Sequence, residues 1–283
     1  PAAIARLYQA KGRPAFNPLI AHVEDFAAAT RLGRFGAEAI ALAEAFWPGP
    51  LTLVLPKVAG CAVADLATAG LDTIAIRVPA HPTARQILRA FGAPVVAPSA
   101  NRSGHVSPTA ASHVWGDLAG RIDLIVDGGA VDIGLESTII GCFGEATMLR
   151  PGGVSRDQIE LVLGRTLAQP PAETENDTGQ PVAPGQLASH YAPRTPLRLN
   201  ATKILPGEAL LAFGSEIVPG AAAAVAVLNL SERGDLTEAA AHLFGYLRAL
   251  DLREASAIAV MPVPHHGLGE AINDRLRRAA AAR

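Results

Sequence analysis

The segment A-P-S-A-N-R-S-G-H-V-S-P-T, Ala97 to Thr109, follows the apolar run Ala93-Pro94-Val95-Val96. The run reads as the end of a buried strand, and the segment as the non-helical loop it opens into. Hydroxyls, an amide and exposed backbone N–H groups in such a loop are good partners for phosphate oxygens. Ser and Asn at this place also suit a strand-to-helix turn that caps the next helix. The segment alone supports both readings equally.

The neighbouring pattern alternates strands and helices. Strands are expected at Leu19 to Val23, Leu51 to Leu55, Thr73 to Val78, Val95-Val96, Asp123 to Val126, Ser137 to Ile140 and Ala146 to Leu149. Helices are expected where Ile4, Leu7 and Tyr8 share a face, ending at Lys11-Gly12, at Ala37 to Phe46, at Pro82 to Phe91, and at Val154 to Leu163 with Ser155 as N-cap. Residues 165 to 195 are polar and rich in Pro and Gly, and read as a linker. Its end, Ser189-His190-Tyr191-Ala192-Pro193, reads instead as a docking point. Beyond Pro196, strands at Ala209 to Phe213, Ala224 to Leu228 and Ala257 to Val260 alternate with helices at Leu236 to Leu250 and Leu268 to Ala281. That order predicts a small α/β domain on a parallel sheet. The expected division is 1–164, 165–195 and 196–283.

Composition narrows the function. Of 283 residues, 49% are hydrophobic, which supports a large core, and only 5% are aromatic. Net charge is −2, so no global basic field holds nucleic acid, and a nucleotide site must be local. Cys61 and Cys142 form neither a disulfide framework nor a zinc set of the usual spacing. No apolar run reaches the ~18 residues of a membrane span. A reduced, cytoplasmic protein is expected. The sequence lacks a G-x-x-x-x-G-K-S/T loop, a G-x-G-x-x-G fingerprint, a G-x-S-x-G elbow and H-E-x-x-H.

What remains is cations and hydroxyls on loops. Lys11 and Arg13, two apart in K-G-R-P-A-F-N-P-L-I, would project to one side of an extended segment and suit a triphosphate or a carboxylate. Asn17 and His22 follow. In T-I-A-I-R-V, Arg77 shares a face with Thr73 and Ala75 and needs an anion, either internal or a substrate carboxylate. Ser137 stands at a strand start, and Arg150 at a strand's carboxyl end, the end that faces ligand in open α/β sheets. The set suits electrostatic positioning of a nucleotide more than acid/base or covalent catalysis.

Taken in order, K-G-R-P-A-F-N-P-L-I, T-I-A-I-R-V-P, P-S-A-N-R-S-G, E-S-T-I-I and R-P-G-G-V-S resemble the threonylcarbamoyl-AMP synthases of YrdC-like fold. S-H-Y-A-P and the unit ending G-L-G-E-A-I-N-D-R-L resemble the long, two-domain form of that family. The resemblance implies an α/β fold: a twisted YrdC-like domain around a positively lined cavity, plus a smaller Rossmann-like domain whose linker folds over the cavity mouth. It implies a nucleotidyltransferase making L-threonylcarbamoyl-adenylate and pyrophosphate from L-threonine, bicarbonate and ATP, with Mg2+ accompanying ATP. A separate tRNA-modifying transferase complex then takes the product, and direct tRNA binding is left open. By position, Arg13, Asn17, Thr73, Ser99, Ser107 and Arg150 match nucleotide-contacting residues, with Lys11 helping to hold phosphates and Asn101 part of the same Ser-Ala-Asn signature. Tyr191 matches a linker residue that reaches the nucleotide. His22, Arg77 and Ser137 match threonine-holding residues. Family members open with a strand and a P-T-E-T-x-Y-G-L-like segment that contacts threonine, upstream of Pro1 here. Without it, impaired activity and an exposed sheet edge are expected. The rival expectation is a non-catalytic RNA-binding module of the same fold. A carbamoyltransferase of this fold would bring cysteine pairs that the sequence lacks.

Overall fold

The computed structural model describes residues 1–168 and 190–281. The elements in chain order are α1 (Ala2–Lys11), β1 (Ile20–His22), α2 (Phe26–Thr30), α3 (Ala37–Phe46), β2 (Leu51–Pro56), β3 (Thr73–Arg77), α4 (Pro82–Phe91), β4 (Val95–Ala97), α5 (Ala111–Leu118), β5 (Thr138–Gly141), β6 (Thr147–Arg150), α6 (Arg156–Leu163), β7 (Leu197–Arg198), β8 (Ala209–Ala212), β9 (Val227–Asn229), α7 (Leu236–Asp251), β10 (Ile258–Val260) and α8 (Gly269–Ala280). Two compact units emerge. Among the described residues, one comprises 1–99 with 136–168 and the other 100–135 with 190–281. The expected segments divide the sequence, whereas these units divide its contacts, and they part company over 100–135. Most of the expected linker lies outside the described residues.

In the first unit a six-stranded sheet runs β4-β1-β3-β2-β5-β6. β1 and β3 are parallel, as are β2 and β5, and the other neighbours are antiparallel. The central strands β2 and β5 read as near-continuous apolar runs and are buried along their length, apart from Pro56 at the end of β2. One face holds the main core, including Leu53, Leu55, Ile74, Ile76 and Ile140, with Leu42 and Ile159 from α3 and α6. The opposite face carries a smaller apolar floor of Ile20, Val54, Ala75, Ile139 and Leu149. α6 starts at a capping box, in which Ser155 and Gln158 satisfy each other's backbone N–H groups.

The second unit holds a four-stranded parallel sheet, β7-β10-β8-β9, with α7 and α8 supplying Leu243, Phe244, Leu247, Ile272 and Leu276 to its core. This is the parallel α/β unit that the alternating pattern predicted. Three sequence expectations are corrected. Asp123 to Val126 is not a strand, and Leu124 and Val126 are 77% and 55% exposed; alternation makes a strand only where a ladder partner exists, and these residues find none among the described ones. Ala224 to Leu228 shifts to Val227–Asn229: a 3-10 turn spans Ala221–Ala223, and the chain bends at Ala224 and Val225 before the strand begins. α1 ends at Lys11-Gly12 as expected, with Gly12 at φ 61° turning the chain in the left-handed region, so Lys11 is helical and does not share an extended segment with Arg13. β7 and α2 are short elements that the sequence pattern does not announce.

Candidate functional site

The loop 97–109 is not a helix cap. α5 follows it, but its N-cap is Ala110, which offers no side-chain bond. Ser99, Asn101 and Ser107 are therefore left for other work.

On the small-core face of the six-stranded sheet, strand direction sorts the candidate residues into two groups. His22 and Arg77 end the parallel strands β1 and β3 and are register partners. β2 and β5 run the other way, so Thr52 and Ser137 stand at this same end, and β6 delivers Arg150 there. At the opposite end lie Thr73, which starts β3, Asn17, which precedes β1, and Ser99, which follows the antiparallel β4. Four steps along β3 separate Thr73 from Arg77, about 13 Å at ~3.3 Å per residue.

At the first end, Arg150 donates to the Ser137 carbonyl at 2.8 and 3.2 Å and to Ser137 Oγ at 3.2 Å. The buried hydroxyls of Thr52 and Ser137 are 2.7 Å apart. Arg77 Nε donates to the Gly49 carbonyl at 2.9 Å. No carboxylate pairs with Arg77 among the described residues. Burial, then the nearby Arg150 charge, lowers its pKa to about 10, so it remains a cation at neutral pH. Two neighbouring guanidiniums, with Arg77 lacking an acid partner among the described residues, make a place for an anion. Sequence reasoning placed Arg150 with the nucleotide-contacting residues; the structure brings it to Ser137, beside the residues matched to threonine. It also adds Thr52, whose one signal was a lone hydroxyl in the apolar run L-T-L-V-L.

His22 is half-buried, with Nδ1 enclosed and without a hydrogen-bond partner. Burial first, then Arg77, pushes its pKa down to about 4, against a weaker opposite pull from backbone groups of Val95 and Ile20. It is a neutral imidazole at pH 7. Between its unfolded value of 6.5 and about 4, the unfolded chain binds a proton that the folded chain refuses. Stability therefore falls as pH drops through that window, by about 3 kcal/mol at 1.36 kcal/mol per pKa unit. Urea titrations at pH 4 and 7 should show this loss in the parent and a smaller one in His22→Gln; equal losses would contradict it.

At the second end, Lys11 is buried and its Nζ donates to the Ser99 carbonyl at 2.5 Å. Arg13 donates to Asn17 Oδ1 at 2.7 Å, to the Pro18 carbonyl at 2.9 Å and to the Asn17 carbonyl at 3.2 Å. The Tyr8 hydroxyl also donates to the Asn17 carbonyl, at 3.1 Å. Loop and β4 end are thus braced around two cations, although Lys11 and Arg13 take different partners. Asn101, Ser107 and Tyr191 belong to the second unit. Asn101 Nδ2 donates to the His105 carbonyl at 2.8 Å, and Ser107 is buried. The Tyr191 ring lies in the second unit's core, stacked on Phe244 at 5.4 Å and under the Arg275 guanidinium at 5.2 Å.

The Thr52–Ser137 bond carries its own prediction. Thr52→Val keeps the shape and removes the hydroxyl, leaving Ser137 short of a partner. The expected cost is about 1–2 kcal/mol of stability, and it should vanish in a Ser137→Ala background. Denaturant unfolding of the four variants checks this, and an undiminished cost in that background would count against it.

No cluster of three or more His, Cys, Asp or Glu suited to a metal occurs among the described residues. No described helix is long and apolar enough to cross a membrane.

A family model described as telomere recombination, covering the Sua5, YciO and YrdC group, matches residues 1–152. A second, described as the C-terminal domain of threonylcarbamoyl-AMP synthase, matches residues 154–281. The chain is 40% identical over 294 residues to the threonylcarbamoyl-AMP synthase of Bacillus subtilis, covering 99% of this chain and 84% of that one. It is 39% identical over 299 residues to that of Pyrococcus abyssi, covering 99% and 85%. The crystal structure of P. abyssi Sua5 complexed with L-threonine superposes with a TM-score of 0.87 at 36% identity, covering 99% of this chain and 84% of that one.

Proposed function

This chain belongs to the threonylcarbamoyl-AMP synthase family, and we propose that it joins L-threonine, bicarbonate and ATP into L-threonylcarbamoyl-adenylate with release of pyrophosphate. The observation that carries the reading within the molecule is the sheet face with cations at both ends. Arg77, free of any acid among the described residues, is the partner for the threonine carboxylate, with His22, Ser137 and Arg150 around it. Lys11 and Arg13, with Asn17, Thr73 and Ser99, receive the nucleotide at the other end. A ligand with a carboxylate at one end and phosphate toward the other matches that spacing. Family kinship favours this synthase over the RNA-binding module.

The chemistry needs alignment and charge neutralisation more than a strong base. The threonine amine attacks the bicarbonate carbon and water leaves, giving a carbamate. A carbamate oxygen then attacks the α-phosphorus, and the bond to pyrophosphate breaks. Burial beside Arg77 and Arg150 favours the neutral, nucleophilic amine, and the neutral His22 imidazole has a lone pair to accept an amine hydrogen. Lys11 and Arg13 steady the charge that builds on the leaving group. Mg2+ fits as part of the incoming MgATP, since Mg2+ binds through phosphate oxygens and water rather than a protein cage. We place the reaction in the cytoplasm, with a tRNA-modifying transferase complex consuming the adenylate. The test is isotope exchange between labelled pyrophosphate and ATP. Exchange should require threonine and bicarbonate together; exchange with ATP alone, or with threonine but no bicarbonate, would overturn the reading.

A further inference from the structure

The second unit contains a cleft of about 640 Å3, lined by residues of α5 and α7, the loop before α5 and the segment 192–194. We propose that it is a binding site for a small phosphorylated molecule, separate from the residues placed above at the two ends of the six-stranded sheet. The volume falls in the range of small-molecule sites. The polar groups decide what it takes.

Its acids are already engaged. Asp117 Oδ2 accepts from Arg248 at 2.9 Å, and Oδ1 lies 3.4 Å from His105 Nδ1. Asp251 Oδ1 accepts from the Thr195 backbone N–H at 2.7 Å, and Oδ2 lies 3.5 Å from Arg194 Nε. Its donors are not. Arg102 is exposed and makes no side-chain hydrogen bond or ion pair among the described residues. Arg194, 74% exposed, is tethered to Asp251 through Nε alone. His113 Nδ1 accepts the Thr109 backbone N–H at 3.2 Å, which puts the ring proton on Nε2. Donors from three separate segments, at 102, 113 and 194, line one cleft whose two carboxylates already have partners. A phosphoryl group, with three acceptor oxygens and up to two charges, satisfies them; a guanidinium or ammonium ligand would not. Gly116, Gly245 and Ala249 keep the wall low and leave room for an organic portion.

The loop 101–107 is two-sided. Asn101 and Ser107 are buried, while Arg102 and His105 line the cleft. Arg248 joins the two sides, donating to the Val106 carbonyl and, at 3.4 Å, to the Ser107 carbonyl. An anion in the cleft therefore acts on the group that holds this loop.

The experiment is NMR of the full chain with labelled histidine, titrated separately with inorganic pyrophosphate and with AMP. His105 and His113 are assigned through their Gln variants, and His22 reports the first unit independently, so failure here and failure of the synthase reading are distinguishable. The His105 and His113 signals should move saturably, and Arg102→Glu should weaken the response about tenfold or more. Arg194→Glu, on an exposed side chain, makes the same test if Arg102→Glu does not fold. A response to both probes supports recognition of the phosphoryl group, and a response to AMP alone supports a site that also needs the organic portion. Silence of both histidines overturns the proposal, as do shifts unchanged by the charge reversals. So does a response to a short RNA but to neither small probe.

Discussion

Arg77→Ala is expected to raise KM for L-threonine about 100-fold while leaving KM for ATP within about threefold. Losing one partner of an enclosed charge pair costs roughly 2–5 kcal/mol, and every tenfold is about 1.4 kcal/mol. The asymmetry follows from the sheet. Arg77 sits at the carboxyl end of β3, whereas Lys11, Arg13 and Ser99 gather at the other end. Its removal also relieves the repulsion from Arg150 that helps hold its own pKa down, so the folded chain should lose little stability. Steady-state kinetics in both substrates, with thermal unfolding as a control, reads this. An equal rise in both KM values would remove Arg77 from the threonine end.

Gly152→Ala should have the second large effect, on folding. A Cβ at this position would lie 2.4 Å from the Glu136 carbonyl oxygen and 2.5 Å from the Ser137 carbonyl carbon and the Thr138 nitrogen. These are backbone atoms and cannot swing aside. The close approach lets R-P-G-G fold back on β5: the Gly153 N–H donates to the Glu136 carbonyl at 2.9 Å, and the Val154 N–H to Thr138 Oγ1 at 3.0 Å. It also brings Arg150 onto Ser137. The alanine variant is expected to lose about 3 kcal/mol or more and, where still folded, to bind threonine poorly. Denaturant unfolding that matches the parent would show that β5 and the turn separate without cost.

Elements marked by local chemistry were legible in the sequence. Ala37–Phe46 and Pro82–Phe91 have the predicted bounds, the first ended before Trp47-Pro48 and the second opened by Pro82 and closed by Gly92 at φ 67°. Ser155 announces its helix through a capping box that can be read from four consecutive residues. Asp123 to Val126 has a strand's alternation, but pairing is decided by what lies beside it, which a short window does not contain. The site divides in the same way. Arg77 stood out as a cation in an apolar strand. The Thr52–Ser137 bond joins residues 85 apart, and it exists because β2 and β5 are parallel neighbours. Arg150 was assigned by its motif, and only the β5–β6 pairing shows that it reaches Ser137. Tyr191 was conspicuous in a polar tail, but the stacking of Phe244 and Arg275 on it depends on α7 and α8, more than 50 residues downstream.

The central claim is the reaction itself. The chain should be incubated with ATP, Mg2+, bicarbonate and L-threonine, and the products read by mass spectrometry, with L-serine as the comparison. The account predicts L-threonylcarbamoyl-adenylate with threonine and far less of the corresponding adduct with serine. ATP binding and threonine binding without any carbamoyl-adenylate would contradict it.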